Sequence, residues 1–176
     1  MKVILYANVS ANGKVLLSEN PNHQVPQEVL MAAMQHITRA GNLVMGRKSF
    51  ENFEKVLGGA DKVRAALPGV ELVWLSGKRQ SANDRTVAST PEEAIHYLTQ
   101  KGFDEIIIGG GTETYNAFLE KDLITDVVLN IIPIISAGGI IGTSDDLNIK
   151  FRHAEHKLLT PDVIQLSLSK FSELKK

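Results

Sequence analysis

Short runs of buried-type residues alternate with stretches whose apolar positions recur every three or four residues, the rhythm of an α/β chain. Residues 2–9 read as a first strand. Leu30, Ala33, Met34 and Ile37 fall at helical spacing, which predicts a helix over 26–39 with Pro26 in its first turn and Gly41 as its stop. Residues 42–45 read as a short strand, 49–57 as a short helix closed by Gly58-Gly59, and 71–75 as a third strand after the Pro68-Gly69 turn. Thr90-Pro91-Glu92-Glu93 is a helix start with a hydroxyl cap, proline at the first position and glutamate at the capping-box position, and that helix runs to Gly102. Residues 105–108 then form a buried strand, and a helix follows over 112–120.

The last quarter changes character. Residues 125–132 are strand-like, and Ile164, Leu166 and Leu168 alternate with Gln165, Ser167 and Ser169 as in a half-buried strand. Thr160-Pro161-Asp162 supplies a turn pairing that strand with the segment beginning at Ile149. The expected architecture is a mostly parallel sheet with helices on both sides, α/β/α, and an antiparallel hairpin at its C-terminal end.

Composition narrows the function classes. The 176 residues carry 19 Lys+Arg and 20 Asp+Glu, so the near-neutral balance offers no broad electrostatic footprint for nucleic acid. There are no cysteines, which excludes disulfides, thiolate metal sites and cysteine nucleophiles and suits a cytoplasmic location. The apolar run 127–141 is broken by Asn130, Pro133, Ser136 and two glycines, too short and interrupted to span a bilayer. No repeat or linker divides the chain, so 1–176 is expected to be one domain. His153 and His156, three apart in a strand, point to opposite faces and make a poor metal pair, and no metal site is expected. His36 and His96 lie on helices without a partner carboxylate at useful spacing.

Candidate chemistry gathers at strand ends. Gly109-Gly110-Gly111-Thr112-Glu113 follows a buried strand and opens a helix, where free N–H groups and the dipole favour a phosphate. The competing account is a tight turn that needs glycine only for its geometry. Thr114 stands where the third glycine of a Rossmann fingerprint would be, and no P-loop sequence exists. Met45-Gly46-Arg47-Lys48-Ser49 places two cations at a helix start, unfavourable unless an anion lies between them. Ser76-Gly77-Lys78-Arg79 offers a hydroxyl and two cations after the third strand, suited to a phosphate monoester such as the 2′-phosphate of NADP. Three such ends converge on a dinucleotide lying across the carboxyl edge of a sheet.

The order of these motifs resembles the dihydrofolate reductase-like superfamily along nearly the whole chain. The carrying segments are Val9-Ser10-Ala11-Asn12-Gly13-Lys14-Val15, Val44 to Ser49, Leu67-Pro68-Gly69 through Ser76, Gly109 to Glu113, and Ile132 to Gly139. Within it the chain looks most like the reductase domain of the bifunctional riboflavin-biosynthesis deaminase–reductase and its stand-alone relatives. The resemblance implies NADPH, with Gly46, Arg47, Lys48 and Ser49 at its phosphates, Ser76 with Lys78 or Arg79 at its 2′-phosphate, and Gly109 to Glu113 at its pyrophosphate. It places Ala7 and the loop carrying Gly13 near the nicotinamide, and it implies a homodimer. Val25-Pro26-Gln27-Glu28 aligns with the substrate carboxylate of folate reductases, making Glu28 the candidate catalytic acid; capping and the helix dipole also favour glutamate there.

Two departures weigh against folate. Val70 stands where folate reductases carry an arginine for the substrate's glutamate, and Ile132-Pro133-Ile134-Ile135 with Gly138-Gly139 resembles the riboflavin branch. The expected activity is therefore hydride transfer to a pyrimidine- or pterin-related imine, of the riboflavin-biosynthesis type. Dihydrofolate reduction and a non-catalytic dinucleotide-binding module are the alternatives. Lys55, Lys62 and Arg64 are available cations for a substrate phosphate, but a solvated helix face is the better account of them.

Overall fold

A computed structural model describes residues 1–16, 23, 25–77 and 86–171. In chain order the elements are β1 (Lys2–Ser10), α1 (Gln27–Ala40), β2 (Asn42–Gly46), α2 (Arg47–Leu57), α3 (Ala60–Ala66), β3 (Glu71–Leu75) and β4 (Thr86–Ala88). They continue with α4 (Pro91–Gln100), β5 (Glu105–Ile108), α5 (Thr112–Glu120), β6 (Asp126–Ile132), β7 (His153–Thr160) and β8 (Val163–Ser169). One eight-stranded sheet has the order β4-β3-β2-β5-β1-β6-β8-β7. Every neighbouring pair is parallel except those made by β8, which runs antiparallel to both β6 and β7. The mixed sheet and C-terminal hairpin are those expected.

The central strands are buried on both faces, which is why β1, β2 and β5 read as continuous apolar runs. One face of β1 sends Val3, Leu5, Ala7 and Val9 into a core with Ala94 and Leu98 of α4 and Tyr115, Phe118 and Leu119 of α5. The other sends Ile4 and Tyr6 toward Ile37 of α1, Phe50 of α2 and Val63 of α3. Helices thus cover both faces, the three-layer arrangement. The carboxyl ends of β1, β2, β3, β5 and β6 share one edge.

Several boundaries depart from the sequence expectation. The second helix starts at Arg47, two residues early, because extended Gly46 caps it without a side chain. Strand β7 begins at His153 and not near Ile149, since Ile149 and Phe151 turn in to pack on the core first. Helix α3 and strand β4 are additional: one is a seven-residue element and the other three residues long, below the length at which periodicity signals anything. Helix α4 matches its capping signal, with Thr90 Oγ1 accepting from Glu93 N at 3.2 Å and Glu93 Oε2 accepting from Ser89 N at 2.8 Å.

Candidate active site at the carboxyl edge

Strands β2 and β5 are neighbours, and each runs straight into a helix. Their ends are tied together: Gly109 N donates to Val44 O at 2.9 Å and Gly46 N donates to Gly110 O at 3.1 Å. Helix α2 is capped by Gly46 and α5 by Gly111, and neither cap residue provides a side-chain bond to the first-turn N–H groups. The first turns of two helices therefore lie side by side with their N–H groups unclaimed by a capping side chain. Helices α1 and α3 also start without a side-chain cap, whereas α4 is closed by Thr90; the α2 and α5 starts differ in lying side by side. The dipoles of two helices add at the α2–α5 corner, an arrangement that favours negative charge.

The glycines of this corner serve the approach of the protein to itself. A Cβ at Gly46 would stand 2.5 Å from Thr114 Oγ1, and one at Gly111 would stand 2.5 Å from Ser49 Oγ. At Gly109 it would stand 2.3 Å from Leu43 Cδ1. Gly111 also has φ of 22°, in the left-handed region. Gly109 and Gly111 are thus accounted for by packing, and Gly110 by its φ of 154°, which leaves the helix N–H groups as the feature of this corner suited to an anion.

Arg47 and Lys48 occupy the exposed first turn of α2, and Arg47 Nη1 pairs with Glu51 Oε1 at 3.0 Å, which partly relieves its conflict with the dipole. Ser49 touches Gly110 and Gly111, bridging the two corners. Ser76 follows Leu75, the register partner of Gly46, so it lies beside the same corner; Lys78 and Arg79 lie outside the described residues. Thr112 faces Gly139, where an added Cβ would stand 3.1 Å from Thr112 Oγ1. Glu113 is exposed in the first turn of α5, where its carboxylate, unlike its N–H, opposes an anion.

Two loops complete the rim. After β1, Val15 N donates to Gly139 O at 3.1 Å and Lys14 bridges to Ile140. Asn12 Nδ2 donates to Ser136 O at 2.9 Å and Asn12 Oδ1 accepts from Ser136 N at 3.1 Å, while His23 Nε2 meets Ser136 Oγ at 3.0 Å. The loop carrying Gly13 (φ 82°) is thereby held against the loop after β6, next to Thr112. Ala7 is buried in the core together with Val9 and Val15. Glu28 is exposed in the first turn of α1, which shares the carboxyl edge. Lys55, Lys62 and Arg64 are exposed on α2 and α3, and the described residues contain no acid–histidine cluster fit for a metal.

Sequence reasoning gave no role to several residues here. Lys14 has only 9% of its surface exposed, and its Nζ lies 2.9 Å from the Cβ position of Gly138. Its signal was a lysine between a glycine and two apolar residues. Tyr6, Asn8, Asn130 and Gln165 form a buried polar group on the α1 side of the sheet; polar residues inside otherwise apolar strands were the available clue. Burial pushes the Tyr6 phenol above its ordinary range, with the Asn130 and Gln165 amides pulling the other way. A hollow of about 340 Å³ lined by Asp122, Lys150, Arg152 and Lys170 lies at the opposite edge of the sheet. Lys170 there is already neutralised by Asp122 at 2.6 Å, and the convergent helix dipoles are at the other edge.

The dihydrofolate reductase family profile matches residues 18–134. A structure from Shewanella sp. PV-4, described as a riboflavin biosynthesis protein, is similar at 23% identity over 96% of this chain and 98% of that one, with a TM-score of 0.69. A structure from Corynebacterium diphtheriae, described as a pyrimidine reductase-like protein, is similar at 16% identity over 98% of this chain and 92% of that one, with a TM-score of 0.68. No curated protein matches the chain. No helix among the described residues is long and apolar enough to cross a membrane. The profile covers well over half of the chain, from the loop after β1 to the loop after β6, and it takes in the paired helix starts; this protein belongs to the dihydrofolate reductase family.

Proposed function

We propose that the chain is an NADPH-dependent reductase acting on a pyrimidine-like ring imine or opened glycosylamine, of the riboflavin-biosynthesis type. The observation that carries this reading is the pair of uncapped helix starts at the ends of β2 and β5, with Arg47 and Lys48 in the first turn of one of them. First-turn N–H groups of α2 and α5, including those of Ser49, Thr112 and Glu113, would hold the pyrophosphate, and Arg47 and Lys48 would balance its charge. Ser76 with Lys78 or Arg79 would hold the 2′-phosphate. The nicotinamide, when bound, supplies the hydride.

The remaining work falls to the chain's own residues. Asn12 and His23, both held to Ser136, would form a wall that excludes water from the nicotinamide. Lys14, almost buried in that wall, would face an electron-rich substrate oxygen. Glu28 Oε at the start of α1 would orient the ring and supply the proton that accompanies the hydride.

Folate is the second reading, favoured by the family match. Against it, the position after Pro68-Gly69 is Val70, an apolar side chain packed against the core that offers no cation for a substrate carboxylate. A second copy of the chain would cover the face of β7 and β8 on which Leu158 and Ile164 are exposed.

The test is turnover of NADPH with 5-amino-6-(5-phosphoribosylamino)uracil and, separately, dihydrofolate. Oxidation with the former and not the latter is expected, with Glu28→Gln lowering kcat and leaving NADPH affinity unchanged. Turnover of dihydrofolate alone would replace the riboflavin-type reading, and oxidation of neither by protein that binds NADPH would replace catalysis with binding.

A further inference from the structure

Four strands place polar residues in a single row on the sheet face beneath α1. Asn8 in β1 is in register with Asn130 in β6, Asn130 with Gln165 in β8, and Gln165 with Lys157 in β7. Gln165 Nε2 donates to Asn130 Oδ1 at 2.9 Å, and Asn130 Nδ2 donates to Asn8 Oδ1 at 2.8 Å. Both amides also donate to the Tyr6 hydroxyl, at 3.1 and 3.4 Å. The three amides run head to tail, with every carbonyl toward β7 and every NH₂ group toward β1.

The cation at the end of the row favours that sense. Lys157 stands across from Gln165 at the carbonyl end, and its charge reaches His36, which packs on Tyr6 at 5.2 Å on the same face. A row of dipoles beside a positive charge turns its oxygens toward it, and hydrogen-bonded amides polarise one another in the same direction. Reversing one amide would set oxygen against oxygen or NH₂ against NH₂, so the three orient together.

The far end opens at Asn8. Among Val3 to Ser10 it is the one residue that is not buried. Its Oδ1 is taken by Asn130, while its Nδ2 has no acceptor among the described residues and is not sealed from solvent. Asn8 is two residues from Ser10, at the carboxyl half of β1, on the sheet face that α1 covers.

We propose that the row fixes Asn8 Nδ2 as a hydrogen-bond donor into the substrate site, so that the site selects a ring carbonyl over a ring amine: a pyrimidinone over a diaminopyrimidine. This rests on the reading of the chain as a reductase of pyrimidine-like rings. A ring carbonyl accepts the N–H, whereas an amine at the same position sets donor against donor and leaves both unpaired.

The test uses the full chain saturated with NADP⁺, after its affinity for NADP⁺ alone has been measured; a failure to bind NADP⁺ overturns the reductase reading and is scored separately. The probes are 5,6-diaminouracil and 2,4,5,6-tetraaminopyrimidine, which differ by exchange of both ring carbonyls for amines. The wild-type chain is expected to bind the uracil at least about tenfold more tightly. In Asn8→Asp, whose Oδ1 keeps the Asn130 bond while the other oxygen accepts, the preference is expected to invert. Asn8→Leu is expected to abolish it. Lys157→Met, at an exposed position, is expected to shrink the preference severalfold with melting temperature unchanged. A wild-type chain that binds NADP⁺ but lacks the carbonyl preference overturns the proposal. So does an Asn8→Asp variant in which both affinities fall together, and so does a wild-type ratio retained in Lys157→Met.

Discussion

Replacing Gly46 by alanine separates two accounts of the glycine corner. Gly46 has φ −65° and ψ 146°, a conformation open to any residue, so the substitution adds no backbone strain. Its cost is steric: the new Cβ would stand 2.5 Å from Thr114 Oγ1, about 1 Å inside ordinary contact distance. Overpacking of this kind costs about 1–3 kcal/mol. For a chain of this size that lowers Tm by roughly 3–10 °C. The strain falls between β2 and α5, so the two helix starts separate and NADPH affinity is expected to drop about tenfold. Thr114→Ala removes the offending oxygen and leaves a Cβ 3.9 Å from the added carbon, an ordinary contact. In a double-mutant cycle followed by melting and by NADPH titration, the pair is expected to couple favourably by about 1–2 kcal/mol. The double variant should melt within roughly 3 °C of Thr114→Ala and regain NADPH binding. Recovered stability with binding still lost would refute the reasoning, since the space beside Gly46 would then belong to the ligand and not to Thr114.

Arg47→Ala removes a charge-assisted contact of about 1.5–3 kcal/mol and is expected to raise the Kd for NADPH roughly ten- to a hundredfold. Glu51→Gln, which frees the same guanidinium from its carboxylate at 3.0 Å, is expected to lower that Kd severalfold; equal effects of the same sign would contradict the role of Arg47. Burial, reinforced by Arg39 and Lys157 and opposed by Glu105, holds the His36 imidazole below its ordinary 6.5. The unfolded chain takes up a proton that the folded chain refuses, so stability falls as pH drops below about 6.5 and levels off once the folded-state value is passed. His36→Gln is expected to flatten urea-melt stability between about pH 7.5 and pH 5, and an unchanged slope would assign the effect elsewhere. Thr90→Ala is expected to cost about 1 kcal/mol of stability and leave NADPH affinity untouched, because that cap closes α4 on itself; lost affinity would bring α4 into the site.

The central strands and the capped helix α4 were readable because their signals are local: a buried run for β5, a Thr-Pro-Glu-Glu start for α4. The helix start at Arg47 was displaced by two residues because its cap is a glycine, which carries no side-chain signature. The carboxyl-edge loops stood out as glycines and cations at strand ends. What fills the space at those glycines did not, because the occupants, Thr114 at Gly46 and Ser49 at Gly111, lie more than sixty positions away in sequence. The amide row was hidden for a similar reason. Asn8, Asn130 and Gln165 come from three strands, and only the register of two parallel strands and one antiparallel strand brings them into line. Lys14 was quoted within a motif, but its burial depends on the loop after β6 closing over it.

The central claim is that the paired helix starts hold a phosphorylated dinucleotide, and the most direct measurement is a titration with NADPH and NADH. Trp74 reports it, because it is buried in β3 against Phe50 at 5.1 Å, two residues before Ser76. Melting temperature followed in parallel gives an independent reading. The account predicts saturable quenching and a raised Tm with NADPH, and an affinity for NADH at least about tenfold weaker for want of the 2′-phosphate. Equal affinities would remove the 2′-phosphate site at Ser76, Lys78 and Arg79, and folded protein that binds neither would contradict the central claim.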